Sequence, residues 1–147
     1  MDGAYRTVAT RARTDFEVKG STFVGHVAPV DGVDAAEAFV AEMRAAHADA
    51  THNVPAYRVP DGALLRGWWR DDGDPAGSAG KPALNVLVRR DLEGVAAVVT
   101  RHYGGVDLGV GGLARAYARG VSDAVTAAGI VERRPHERVT ATVDYDD

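Results

Sequence analysis

The 147-residue chain contains no cysteine, which excludes disulfides, thiolate metal sites and a cysteine nucleophile while leaving the redox compartment open. Lysine is nearly missing as well: only Lys19 and Lys81 are present, so cationic chemistry falls to arginine. An excess of positive charge is lacking, with 17 Lys plus Arg against 21 Asp plus Glu and a formal net charge of -4. A polycation that coats nucleic acid through its whole surface is thereby excluded, and any RNA site has to be a local patch. No apolar run is long enough for a membrane span or a signal peptide, and charges are scattered through the segment Met1 to Asp15. A soluble cytoplasmic protein without a membrane partner is expected. Ser78 and Ser122 have no G-x-S-x-G elbow, so nothing supports a serine hydrolase.

What is present suits one domain with a real core, since 46% of the residues are hydrophobic. Tyr5 to Val18 and Ser21 to Val30 read as two extended stretches around Lys19-Gly20, a hairpin signal. Asp34-Ala-Ala-Glu37 has capping-box spacing and opens a helix with Phe39, Val40 and Met43 on one stripe, ending near Ala48. Asn53 to Val59 and Ala63 to Arg70 flank the turn Pro60-Asp61-Gly62, and Pro55 confines the first of these strands to a sheet edge or a strand start. Pro82 suits the start of a helix carrying Leu84, Leu87, Val88 and Leu92. Val95 to Tyr103 lacks alternation, as a central strand covered on both faces does. Leu113, Tyr117, Val121, Ala124 and Ala128 share a helical stripe stopped by Gly129. Val139, Ala141, Val143 and Tyr145 alternate with polar residues, which predicts a last strand. The expected order is ββαββαβαβ, an α/β (α+β) two-layer sandwich of a mixed sheet with helices on one face.

Two glycine-rich segments carry the chemistry. The first, Asp71-Asp72-Gly73-Asp74-Pro75-Ala76-Gly77-Ser78-Ala79-Gly80-Lys81, has three carboxylates of the kind that hold a divalent cation, without the glutamate an EF-hand requires. Its alternatives are an Asx-type turn accepting loop N–H groups, or carboxylates that pin Arg101 or Arg115 in a buried network. The second runs from Arg101-His102-Tyr103-Gly104-Gly105 through Asp107, Gly109, Gly111 and Gly112 into the helix that bears Arg115 and Arg119. Glycine lets a ligand approach the backbone, and a helix N-terminus offers unpaired N–H groups to an anion. Arg115 and Arg119 are four apart on the flank away from the apolar stripe, which suits a phosphodiester backbone. The spacing matches neither the P-loop nor the dinucleotide fingerprint, and the alternative is that these glycines serve a tight turn and close packing. His47, His52 and His102 are candidate bases or ligands, none with a second His at i+4, and His52 reads as a hydrogen-bonded loop residue. Trp68, Trp69 and Tyr103 either stack on bases or belong to the core.

Four ordered blocks carry a resemblance to a known family: Lys19-Gly-Ser21-Thr-Phe23; Ala50-Thr-His52-Asn53 with Ala56-Tyr57; Asp71 through Pro82; and Thr100 through Gly105 with Leu108 through Tyr117. Over residues 16 to 128 the chain resembles the YigZ/IMPACT family. The resemblance implies a two-layer β/α domain like one in a small-subunit ribosomal protein and like domain IV of elongation factor G. It also implies a link to translation, because eukaryotic IMPACT is a translational regulator that restrains the amino-acid-starvation kinase pathway, and nucleic-acid binding is the usual proposal for bacterial members. The family carries over no catalytic residue. The chain departs from the pattern at Asp74, where Glu is usual, at His102-Tyr103, where Tyr-Phe is common, and at Asp107, where Lys is frequent and whose charge subtracts from an anion site.

The expectation is therefore a family N-terminal domain over 1–137, with 138–147 a terminal strand that opens a ferredoxin-like second domain. The expected function is a translation-associated regulatory or RNA-binding domain, rather than an enzyme, with no cofactor and no metal. Its anion-accepting groove lies between the two glycine-rich loops and comprises Asp71, Asp72, Gly73, Asp74, Gly77, Gly80, Lys81, Arg101, His102, Tyr103, Gly104, Gly105, Gly109, Gly111, Gly112, Arg115 and Arg119. Partners are RNA, a ribosome-associated component or a regulatory protein. The alternatives are a metal-assisted hydrolase using Asp71, Asp72 and Asp74 with His52 or His102, and a protein–protein regulatory module.

Overall fold

A computed structural model describes residues 3–134. The strand expected within 138–147 lies outside the described residues. The first extended stretch divides at a bend into β1 (Tyr5–Val8) and β2 (Ala12–Val18). β2 turns through Lys19 and Gly20, at φ 48° and 85°, into β3 (Ser21–Pro29). Two successive positive φ values match the twist of the flanking strands, so this tight hairpin holds its register with Val18 opposite Ser21. There follow α1 (Val33–Ala46), β4 (His52–Asp61), β5 (Leu64–Trp69), α2 (Gly80–Arg89), β6 (Val95–His102), α3 (Gly109–Ala128) and β7 (Ile130–Arg133). β7 was not foreseen; it pairs with β1 as a separate two-stranded sheet, Val8 opposite Ile130.

The main sheet has the order β2-β3-β6-β4-β5, and every pairing in it is antiparallel, which corrects the expectation of a mixed sheet. The α+β class stands, but the helices occupy both faces rather than one. α2 and α3 pack with Phe23, Val27, Val54, Ala56, Ala97 and Val99. α1 covers the other face with Ala28, Tyr57, Val59, Ala96 and Val98. The reason lies in β6, whose residues 95–99 are all apolar and buried, so that neither face can be left to water. α3 lies so close to β3 that a Cβ at Gly25 would stand 2.0 Å from the Gly120 carbonyl oxygen. Glycine is the one residue that permits this approach.

Local signals also needed correction. α1 is preceded by Gly32 with no side-chain cap, so Asp34 stands in the first turn and the capping box does not form. Pro55 sits in β4, an interior strand, yet breaks no ladder. Its carbonyl accepts from the Arg70 N–H at 3.3 Å just past the end of β5, so the missing donor faces the point where that partner strand stops. In α2 the buried face is Ala83, Val86 and Leu87, while Val88 turns outward. Trp68 stacks on Tyr57 at 5.0 Å and lies under Arg70, so it serves the fold. Among the described residues no helix is long and apolar enough to cross a membrane.

Candidate functional site

The acidic segment between β5 and α2 folds back on itself. The Asp71 carboxylate accepts from the N–H groups of Gly77 (2.9 Å), Ala79 (3.2 Å) and Gly80 (2.9 Å), placing a negative charge at the N-terminus of α2. Asp72, at φ 53°, accepts from the Asn53 N–H at 2.8 Å and from Arg44 at 2.6 Å. Asp74 is buried and accepts from Arg101 Nη1 at 2.7 Å and from the Tyr117 hydroxyl. Burial first, then this bond to a carboxylate, raises the Tyr117 phenol well above its ordinary range. The three carboxylates thus enter three separate networks. The metal-assisted hydrolase is corrected on that ground: protein donors already engage each carboxylate, and among the described residues no group of three or more His, Asp or Glu converges to hold a metal ion. Both alternative readings of this segment are realised, Asp71 as the turn former and Asp74 as the pin for Arg101.

The second segment is shorter than its glycines suggest. α3 begins at Gly109, whose φ of 74° is one glycine adopts freely, and Gly111 and Gly112 lie in its first turn instead of in a loop. Glycine disfavours a helix by about 1 kcal/mol per residue, but Leu113, Ala116 and Tyr117 just beyond are buried in the core and hold the turn in place. Gly104 has a packing role: a Cβ there would stand 2.1 Å from the Gly20 carbonyl, and its N–H donates to Ser21 Oγ at 3.0 Å. The loop is therefore clamped to the β2–β3 turn. Tyr103 N–H donates to Thr51 Oγ1 and its hydroxyl donates to Asp107, each at 2.9 Å. α3 has no side-chain cap and no acidic residue in its first turn, and among the described residues no side-chain acceptor bonds its leading N–H groups.

The single expected groove is two clefts, with the first turn of α3 as the ridge between them. The larger, of about 490 Å³, is lined by Thr51, His52, Gly73, Asp74, Pro75, Arg101 and Tyr103, and on the ridge side by Asp107, Leu108, Gly109, Val110 and Leu113. His52 Nε2 stands 3.7 Å from Asp74 Oδ1 in this cleft. The smaller, of about 240 Å³, is lined by Phe16, Val18, Lys19, Leu108, Gly112, Arg115, Ala116 and Arg119. Arg119 lies 4.0 Å over the Phe16 ring and pairs with Asp123 at 3.2 Å. Among the described residues no carboxylate lies within ion-pair distance of Lys19 or Arg115.

Arg101 and the two helix arginines are therefore on opposite sides of the ridge. His102 lines neither cleft, because strand alternation turns it to the face opposite Arg101. Asp71, Asp72, Gly77, Gly80, Lys81, Gly104, Gly105 and Gly111 line neither as well. Sequence reasoning missed Lys19, Phe16 and Leu108 as lining residues and Tyr117 as the second donor to Asp74. The alternation of Phe16 and Val18 along β2 was the available signal for Phe16. On the far face, buried His26 shares a 3.2 Å hydrogen bond with Thr100 Oγ1, which itself donates to Asn53 Oδ1 at 2.7 Å. Burial, then the charges of His47 and Arg13, lowers the His26 imidazole to about 4.

Residues 19–125 match the Impact N-terminal domain. The chain is 37% identical over 142 residues to the IMPACT family member YvyE of Bacillus subtilis, covering 97% of this chain and 65% of that protein. It is 42% identical over 131 residues to the IMPACT family member YigZ of Escherichia coli, covering 88% of this chain and 64% of that one. Protein IMPACT of Rattus norvegicus is 37% identical over 93 residues, 60% of this chain and 29% of that protein. A crystal structure of a hypothetical protein superposes with a TM-score of 0.83 at 38% identity, covering 92% of this chain and 66% of that one. The chain thus spans just under two thirds of the length of the bacterial relatives.

Proposed function

The chain belongs to the IMPACT family, and from that premise we propose that it is a translation-associated regulatory domain that binds the phosphate backbone of RNA in the cleft of Lys19, Arg115 and Arg119. The link to translation is the one the family resemblance implies. The observation that carries the RNA reading is that Lys19 and Arg115, free of carboxylate partners among the described residues, meet Arg119 beside the uncapped first turn of α3. Cations on one side and helix N–H groups on the other suit an oxyanion that reaches the backbone closely. Phe16 gives the cleft an aromatic wall, and its ring is already under Arg119.

The net charge of -4 makes the binding local, so it is strongly screened and weak at physiological salt. Three neutralised phosphates on a single strand give a slope of log affinity against log salt of roughly -2. Anisotropy titration of labelled single-stranded RNA over a range of salt tests this, together with the double variant Arg115→Glu and Arg119→Glu. The double variant is expected to abolish the slope while a cooperative thermal melt is retained. Failure of the wild type to bind at low salt overturns the reading and leaves the same surface to a regulatory protein contact.

A further inference from the structure

The larger cleft is polar at its floor, apolar on one wall and aromatic at its mouth, and the RNA reading above does not use it. Its volume of about 490 Å³ falls in the range that holds a small organic ligand. Leu108 lines both clefts, and the ridge between them is the glycine backbone of the first turn of α3. A strand following the cations therefore crosses the ridge next to the helix N–H groups and arrives at the mouth of the larger cleft. We propose that this cleft receives one unstacked nucleobase of the same RNA strand, with preference for a base that carries an exocyclic amino group.

Three observations support the assignment. First, Tyr103 stands at the mouth, 47% exposed, with its hydroxyl fixed by Asp107 and the Arg101 guanidinium 5.4 Å from the ring centroid. A ring that is held in place yet open to solvent is a stacking platform. Second, the opposing wall of Leu108, Val110 and Leu113 is apolar, with Val110 59% exposed, as suits the other face of a flat ring. Third, the exposed carboxylate at the mouth, Asp107, is an acceptor. Asp107 has a second carboxylate oxygen open beside Tyr103, and carboxylates accept from the amino groups of cytosine and other amino-bearing bases. Uracil has no such group.

This assignment rests on the RNA reading, and its test separates the two. Labelled short oligoadenylate, oligocytidylate, oligouridylate and an abasic oligonucleotide of the same length are titrated against the full chain at one low salt concentration. The expected result is tighter binding of the amino-bearing strands than of oligouridylate, and weakest binding of the abasic strand. Tyr103→Ala is expected to weaken oligocytidylate by roughly tenfold and the abasic strand not at all. Asp107→Asn is expected to narrow the gap between oligocytidylate and oligouridylate. Equal, salt-dependent binding of every strand by wild type and Tyr103→Ala overturns the base pocket and leaves the phosphate cleft standing. Binding of free cytidine monophosphate as tight as that of the oligonucleotide overturns the link to a strand. No binding of any strand overturns both.

Discussion

The chain enters a helix twice through a glycine-rich segment, at 71–79 ahead of α2 and at 103–108 ahead of α3, and the two treat the helix N-terminus in opposite ways. Ahead of α2, Asp71 supplies the anion from within the chain, and Asp72 and Asp74 are tied to Arg44 and Arg101. Ahead of α3, Asp107 accepts from the Tyr103 hydroxyl, and the helix start has neither a side-chain cap nor an acidic residue in its first turn. Glycine content therefore does not mark a ligand site. What differs is whether the backbone donors already have an internal partner, and on that ground the first segment is structural and the second is open to an external anion.

Substitutions can break this contrast, and the largest effect is expected at Asp74. Asp74→Ala leaves Arg101 buried without its counter-charge and is expected to cost about 3–5 kcal/mol in urea unfolding, whereas Arg115→Glu is expected to stay within about 0.5 kcal/mol of wild type. Equal losses would erase the distinction between a closed and an open segment. Next comes a control that neither segment touches. His26 is held neutral, its folded value of about 4 lying below the ordinary 6.5, so the unfolded chain takes up the proton first. Its contribution is complete above 6.5 and is lost as pH falls from there to about 4. After allowance for solvent screening it is on the order of 2 kcal/mol. Melting temperature measured across that window is expected to drop, and His26→Gln is expected to flatten the drop while variants in either segment leave it in place.

Two smaller effects sharpen the comparison. Asp71→Ala removes the anion that caps α2 and is expected to cost about 1–2 kcal/mol, again by urea unfolding. Val110→Asp does the reverse at α3, giving the open segment an anion of its own at an exposed first-turn position. It is expected to add about 0.5 kcal/mol of stability while weakening RNA in the anisotropy assay. A gain in stability with RNA affinity unchanged would show that the helix start is not where the phosphate sits.

Much of this was legible in local chemistry. β6 read as a central strand because residues 95–99 are uniformly apolar, and α3 read as a helix because Leu113, Tyr117, Val121, Ala124 and Ala128 repeat at helical spacing. The same property of β6 argued for cover on both faces, and giving it weight would have placed α1 opposite α2 and α3. The start of α3 was misread because glycine propensity opposes a helix at Gly111 and Gly112, where packing overrides it, while Gly109 at φ 74° makes the entry turn. The groove was expected as one because Arg101, Arg115 and Arg119 flank the same glycines in the chain. Side-chain direction separates them: Arg101 turns toward Asp74, while the helix arginines lie toward Phe16 and Lys19.

Residue type and spacing were enough to place the three helices and the strands of the main sheet, and to state that cationic chemistry is arginine's and that it must be local. Those properties depend on neighbours within a few positions, where periodicity and charge act directly. The partner of each carboxylate, the splitting of one groove into two clefts and the uncapped start of α3 came from contacts across the fold. Asp71, Asp72 and Asp74 are chemically alike, and only the approach of α2 to one, of α1 to the second and of β6 with α3 to the third made them a cap, a surface pair and a buried pin.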